Sequence, residues 1–167
     1  MEESVNIKAG RYLVKHGVGL LFFSTFIAGG GYEIASVDEY SIASQNKYRV
    51  AHTGATTHMV LLFAIAAICP LLNLTAEQFG TLKWSLPALG WFNSLGYFFG
   101  AVTGHRGLTP VCMTGKSPIL FWICEYGPPA NIFVNVLFGI AILSLVVTLW
   151  ILWCGCSNPD QNNKRDK

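Results

Sequence analysis

Charged residues are scarce in this sequence. Lys, Arg, Asp and Glu make up 12% of its 167 residues, whereas hydrophobic residues make up 52%. An ordinary soluble domain has about 25% charged residues, because charged side chains cover the surface that faces water. The deficit, together with a mean hydropathy of +0.44, indicates a surface that faces lipid. The formal net charge of +2 is too small to indicate a nucleic-acid partner.

The chain also lacks the motifs of common hydrolytic and nucleotide-binding sites. It has no paired carboxylates in an apolar run, no nucleophile elbow, no phosphate loop and no metalloprotease pair. The glycines of "AGGGY" at 28–32 follow a hydrophobic run, so they indicate a helix end or a close-packing site. Five cysteines are an odd number, which argues against a full disulfide framework. We interpret Cys154 and Cys156 as small residues near a membrane interface, with palmitoylation as the alternative.

The most prominent feature of the sequence is a set of long apolar runs. A membrane-spanning helix needs about 20 mostly apolar residues, and four runs come close: Tyr12–Tyr32, about Ala55–Leu72, Trp84–Gly104 and Asn131–Trp153. A fifth, at 117–129, is too short to span and is expected to be re-entrant or interfacial. The sequence therefore predicts an all-α integral membrane protein, a multi-pass four-transmembrane-helix bundle. Residues 1–155 would form its single domain, and 156–167 a polar C-terminal tail.

The basic residues predict the orientation of this bundle. With four spans, seven lysines and arginines fall on the side of the termini and four on the other side. Because basic residues are in excess in cytoplasmic segments, both termini are expected to be cytoplasmic.

Polar side chains inside apolar runs are the candidates for catalytic or binding roles, because placing them in the hydrocarbon of a membrane costs free energy. Asn93 and Tyr97 are four residues apart, so they share one face of a helix. Both can donate a hydrogen bond to an oxygen atom of a ligand. The alternative is that they tie neighbouring helices together, as asparagine often does in membranes.

His52 and His58 lie near the start of the second run. Six residues on a helix correspond to about 9 Å of rise and roughly 120° of rotation. Two histidines of one helix at this spacing therefore cannot bind opposite sides of one metal ion. A neutral imidazole is a common metal ligand and the usual proximal ligand of haem iron. The alternative is that His52 caps the helix and His58 bonds a neighbouring backbone group.

Four short motifs together resemble a known family. "HG" at 16–17, "AHTG" at 51–54, "GWFNSLGY" at 90–97 and "RGLT" at 106–109 occur in the order and at the separations found in styrene oxide isomerase, a small four-span membrane enzyme. The resemblance covers about residues 12–150. Two positions differ: His58 stands where the family has an asparagine, and Leu89 where it has an aspartate.

The resemblance implies a homotrimer that binds haem b at its subunit interfaces, with His52 as ligand of the ferric iron. It also implies that the iron acts as a Lewis acid on a small apolar epoxide taken up from membrane lipid, and that ring opening with a hydride shift gives an aldehyde. Tyr97 and Asn93 correspond to pocket residues, and His58 joins them as a catalytic candidate. The second hypothesis is a haem protein with a closed bis-histidine site, used for electron transfer, storage or sensing.

Overall fold

In a computed structural model of the chain, the described residues form four long helical rods that pack side by side. The structure describes residues 5–37, 42–72, 74–102 and 129–157. No strand occurs in these ranges, which confirms the all-α class. The first rod consists of three helical elements in succession: α1 (Val5–Phe22), a π-helical turn (Phe23–Ala28) and α2 (Gly29–Val37). The other three rods are α3 (Ile42–Ile68), α4 (Ala76–Val102) and α5 (Pro129–Ser157).

The rods run antiparallel in chain order. Gly10 near the start of α1 lies against Ala66 near the end of α3. Leu74, which follows α3 and precedes α4, lies against Gly155 near the end of α5. The start of α1 and the end of α5 are therefore at the same end of the bundle.

Local signals at the α3–α4 turn stop one helix and start the next. The 3-10 turn Cys69–Leu71 contains Pro70 and closes α3. The backbone N–H of Gln78 donates to the Thr75 hydroxyl at 3.2 Å, and the Thr75 N–H donates to Gln78 Oε1 at 2.9 Å. This reciprocal pair is a capping box, and it satisfies two N–H groups at the start of α4.

Three of the rods are long and apolar enough to cross a membrane, over the ranges Ile7–Ser36, Gln45–Leu71 and Phe133–Gly155. α4 is less apolar, but it contacts the first rod, α3 and α5. Much of its surface therefore faces protein, which does not require the hydrophobicity of a lipid-facing helix. The number of four spans stays a prediction.

The helix that carries the two histidines begins earlier than predicted. α3 starts at Ile42 rather than about Ala55, so His52 lies ten residues inside it and its interpretation as a helix cap is wrong. "AGGGY" is likewise not a helix end, because α2 continues through it to Val37. Close packing is confirmed at Gly31, where an added Cβ would meet the Tyr48 ring at 2.7 Å.

Candidate functional site

His52 lies on the side of α3 that contacts the first rod. Its Nδ1 atom is 2.9 Å from the backbone carbonyl oxygen of Ser24 and 3.1 Å from the Ser24 hydroxyl oxygen. Ser24 is 1% exposed, whereas His52 is half-buried. One ring nitrogen of His52 is thus held by a buried group of the neighbouring rod.

The π-helical turn determines how the Ser24 carbonyl is used. In an α-helix this oxygen would accept the N–H four residues on, but here the N–H of Gly29, five residues on, donates to it. A carbonyl oxygen has two lone pairs, and the second accepts from His52. An added Cβ on Gly29 would be 3.1 Å from the Ser24 oxygen and 3.5 Å from His52 Nδ1. Glycine at this position therefore leaves room for the contact.

The carbonyl also decides which nitrogen of His52 carries the proton. A carbonyl oxygen can only accept, so Nδ1 must donate across the 2.9 Å separation. In the neutral ring Nε2 then has the free lone pair, which is the form that binds a metal ion. Metal-bound histidines are almost always oriented in this way, with the other ring N–H donated to a carbonyl, a carboxylate or water.

Two hydroxyl groups join the same turn of α3 to the first rod. The Ser24 hydroxyl donates to the backbone carbonyl of His52 at 2.9 Å. Thr56 Oγ1 is 2.8 Å from Ser24 Oγ and 3.0 Å from the same His52 carbonyl. The backbone and the ring of His52 are therefore both bonded to Ser24.

His58 is held by its own helix. Its Nδ1 donates to the Gly54 carbonyl at 2.7 Å, which confirms the alternative that His58 bonds a neighbouring backbone group. An added Cβ on Gly90 would be 3.2 Å from the Cβ of His58, so His58 also packs against α4. Because the Gly54 carbonyl can only accept, the lone pair of the neutral ring is on Nε2.

Asn93 and Tyr97 on α4 contact different helices. An added Cβ on Gly54 would be 3.9 Å from Asn93 Nδ2, so α4 brings this amide to the "AHTG" segment. The Tyr97 ring packs edge-to-face on Phe138 of α5, with the ring centroids 4.9 Å apart. Within the described residues, neither the Tyr97 hydroxyl nor the Asn93 amide has a hydrogen-bond partner.

The sequence patterns did not identify Ser24, and His16 entered only as part of the "HG" motif. The only signal for Ser24 is a serine within the apolar run "FFSTF". His16 Nδ1 accepts a hydrogen bond from Trp91 Nε1–H at 3.1 Å, so it ties the first rod to α4. Leu89, one of the two positions that differ from the family pattern, is 7% exposed and belongs to the hydrophobic core.

A groove elsewhere on the bundle is separate from this site. It has a volume of about 670 Å³ and lies between α4 and α5, with Trp84, Ser85 and Ser144 among its lining residues. None of the four predicted site residues lines it. In the ranges that the structure describes, no three His, Cys, Asp or Glu side chains come together as a metal cage.

Comparison with known proteins identifies the family of the chain. Neither the curated proteins nor the solved structures compared with the chain include a match. The family model described as styrene oxide isomerase matches residues 9–157, which include the two histidines, Asn93 and Tyr97. With most of its length matched and three apolar rods of spanning length, the chain is a membrane protein that belongs to the styrene oxide isomerase family.

Proposed function

We propose that this protein is a membrane-embedded isomerase that converts apolar epoxides, aryl epoxides among them, to aldehydes. Its cofactor would be haem b, with His52 as the ligand of the iron. The observation that carries the proposal is the hydrogen bond from His52 Nδ1 to the Ser24 carbonyl at 2.9 Å, because it leaves Nε2 able to bind iron. The family match supports the reaction class.

The donor set around His52 fits a haem better than a bare metal ion. An ion held by protein alone needs several ligands close together, and the described residues form no such cluster. A porphyrin supplies four nitrogens itself, so one histidine is enough to hold the iron. When bound, ferric haem supplies a Lewis acid for the epoxide oxygen.

The other site residues of the chain would stabilise charge on the substrate. The Tyr97 hydroxyl and the Asn93 amide have no partner among the described residues, so each has a hydrogen available to donate to a substrate oxygen. Such donors act most strongly when negative charge develops as the C–O bond breaks. An apolar surrounding keeps water from capturing the cation as a diol. The hydride moves within the substrate, so no external reductant is needed.

A second candidate function is a closed haem site. His58 also donates through Nδ1, at 2.7 Å to Gly54, so its Nε2 has a lone pair for a metal. It lies about 9 Å along α3 from His52 and is rotated by roughly 120°, so it could reach the same iron only from another copy of the chain. Such a protein would transfer electrons, store haem or sense it. In the isomerase, His58 would instead belong to the substrate pocket.

The proposal includes a topology and an assembly. All four rods would span the membrane, α4 among the others, with both termini in the cytoplasm as the seven basic residues on that side indicate. Three copies would assemble with haem at their interfaces, as the family resemblance implies. The large exposed apolar residues of α5, such as Trp150 and Trp153, provide a surface for lipid or for a neighbouring copy.

Spectroscopy and turnover on one sample test the proposal. Protein purified in mild detergent should show a Soret band with visible bands of five-coordinate iron, and should convert an aryl epoxide to its aldehyde. Haem content measured on the same sample gives turnover per haem. Fully bound six-coordinate haem with no turnover of several epoxides would reject the isomerase and favour the closed site through His58.

A further inference from the structure

We infer that Ser24 is a positioning residue for His52, and that the π-helical turn Phe23–Ala28 aims its carbonyl at Nδ1 so that Nε2 is the nitrogen offered to iron. The inference rests on the proposed function, since it assigns the iron-binding atom of His52. It goes further in naming a residue 28 positions away in sequence that fixes the tautomer of the ring.

The 2.9 Å contact with the Ser24 carbonyl favours the tautomer with the proton on Nδ1. With the proton on Nε2, the lone pair of Nδ1 would face the lone pairs of the Ser24 carbonyl at 2.9 Å, and neither atom could donate. The Ser24 hydroxyl lies 3.1 Å from Nδ1 and 2.9 Å from the His52 carbonyl, so its proton can go to the His52 carbonyl while Nδ1–H donates to the Ser24 backbone. The proton on Nδ1 therefore satisfies both groups of Ser24.

The π-helical turn places the carbonyl for this role. Single π turns inside α-helices are rare and are frequent at functional sites. Here the turn carries the hydrogen bond from Gly29 to Ser24, and Gly29 itself lies against the His52 ring. Ser24 and Gly29, which contact the ring, thus lie in or beside one widened turn.

The hydroxyl network keeps the two rods in register. Ser24 Oγ bonds the His52 carbonyl and Thr56 Oγ1 on α3, at 2.9 and 2.8 Å. Without its hydroxyl, residue 24 would still have its backbone carbonyl. The hydrogen bonds that hold this carbonyl 2.9 Å from Nδ1 of His52 would be lost, so the distance would vary. The expected consequence is a mixture of the two tautomers.

The direct test is ¹⁵N NMR of the haem-free protein in detergent micelles, with labelled histidine and assignment of the His52 ring through a His52→Gln variant. The wild-type ring should be protonated on Nδ1. Ser24→Ala should increase the fraction protonated on Nε2 and weaken haem binding by up to about 10-fold, the lower end of the effect of losing an outer-shell partner, because the carbonyl itself remains. Thr25→Ala, at the exposed neighbouring position, is the matched control and should change neither quantity.

A second pair of variants keeps the test decisive if Ser24→Ala fails to fold. Thr56→Val removes a hydroxyl that contacts Ser24, whereas Thr57→Val removes one that bonds only its own helix, at 2.9 Å to Thr53. Only Thr56→Val should shift the tautomer and the iron–histidine stretching frequency of the ferrous protein.

Two outcomes would overturn the inference: a wild-type ring protonated on Nε2, or a tautomer and a haem affinity that are the same in Ser24→Ala and Thr25→Ala. The tautomer is measured in the haem-free protein, so this test remains valid even if the protein binds no haem. If His52 binds haem but the tautomer is unchanged in Ser24→Ala, the proposed role of Ser24 is wrong, whereas the proposed function is unaffected.

Discussion

Replacing Gly29 by alanine should disturb the His52 contact, whereas the same change at Gly30 should not. An added Cβ on Gly29 would be 3.1 Å from the Ser24 carbonyl oxygen and 3.5 Å from His52 Nδ1. That carbonyl is held by two hydrogen bonds, so it cannot move away without lengthening one of them. An added Cβ on Gly30 would meet nothing within 4 Å.

The expected magnitudes follow from two opposing effects. Alanine in place of glycine stabilises a helix interior by about 1 kcal/mol, and this gain applies at both positions. Overpacking typically costs about 1–3 kcal/mol, and it applies to Gly29 alone. Gly30→Ala should therefore be slightly more stable than the wild type, and Gly29→Ala should fall below Gly30→Ala by about 1–3 kcal/mol.

The assay is denaturant unfolding in detergent, followed by circular dichroism, together with haem content per protein. Gly29→Ala should retain less haem than Gly30→Ala at equal protein concentration. Equal stability and equal haem content in the two variants would refute the argument that Gly29 is required by the contact between Ser24 and His52.

Three further predictions concern the reaction, the packing and the topology. Tyr97→Phe should lower turnover of an aryl epoxide by about 10²–10³ at unchanged haem content; a change of less than threefold would remove Tyr97 from the reaction. The Thr148 hydroxyl donates to Ser85 Oγ at 3.0 Å between α5 and α4, so a double-mutant cycle with Ser85→Ala and Thr148→Val should give a coupling of about 0.6 kcal/mol, and zero coupling would contradict the bond. Protease added to sealed vesicles should cut the "SNPDQNNKRDK" tail at 157–167 and an N-terminal tag from the same face, whereas cleavage from opposite faces would mean an odd number of spans.

The long helices could be predicted from the sequence because apolar runs of spanning length dictate them. Their boundaries were harder, since a helix can extend past its apolar run. α3 begins at Ile42, and its first turns carry polar residues such as Gln45 and Lys47. The start of α4 at Ala76 depends on the capping box at Thr75 and Gln78 rather than on hydrophobicity.

The candidate site was predictable only as far as motifs identify residue types. The "AHTG" motif indicated His52 as a candidate iron ligand, and the spacing of Asn93 and Tyr97 predicted that they share one face of a helix. The role of Ser24 could not be read from the sequence, because it depends on a contact between two rods and on a π-helical turn that no residue pattern marks. The tautomer of His52 follows only once the Ser24 carbonyl is located.

The most direct test of the central claim, that His52 binds haem iron, is the absorption spectrum of His52→Ala beside the wild type and His58→Ala. Each protein would be purified from membranes, checked for helix content by circular dichroism and supplied with the same amount of haem. We expect that His52→Ala inserts into the membrane and keeps its helix content but loses the Soret band, while His58→Ala keeps this band. A His52→Ala protein with full haem and an unchanged spectrum would contradict the account and would place the iron ligand elsewhere.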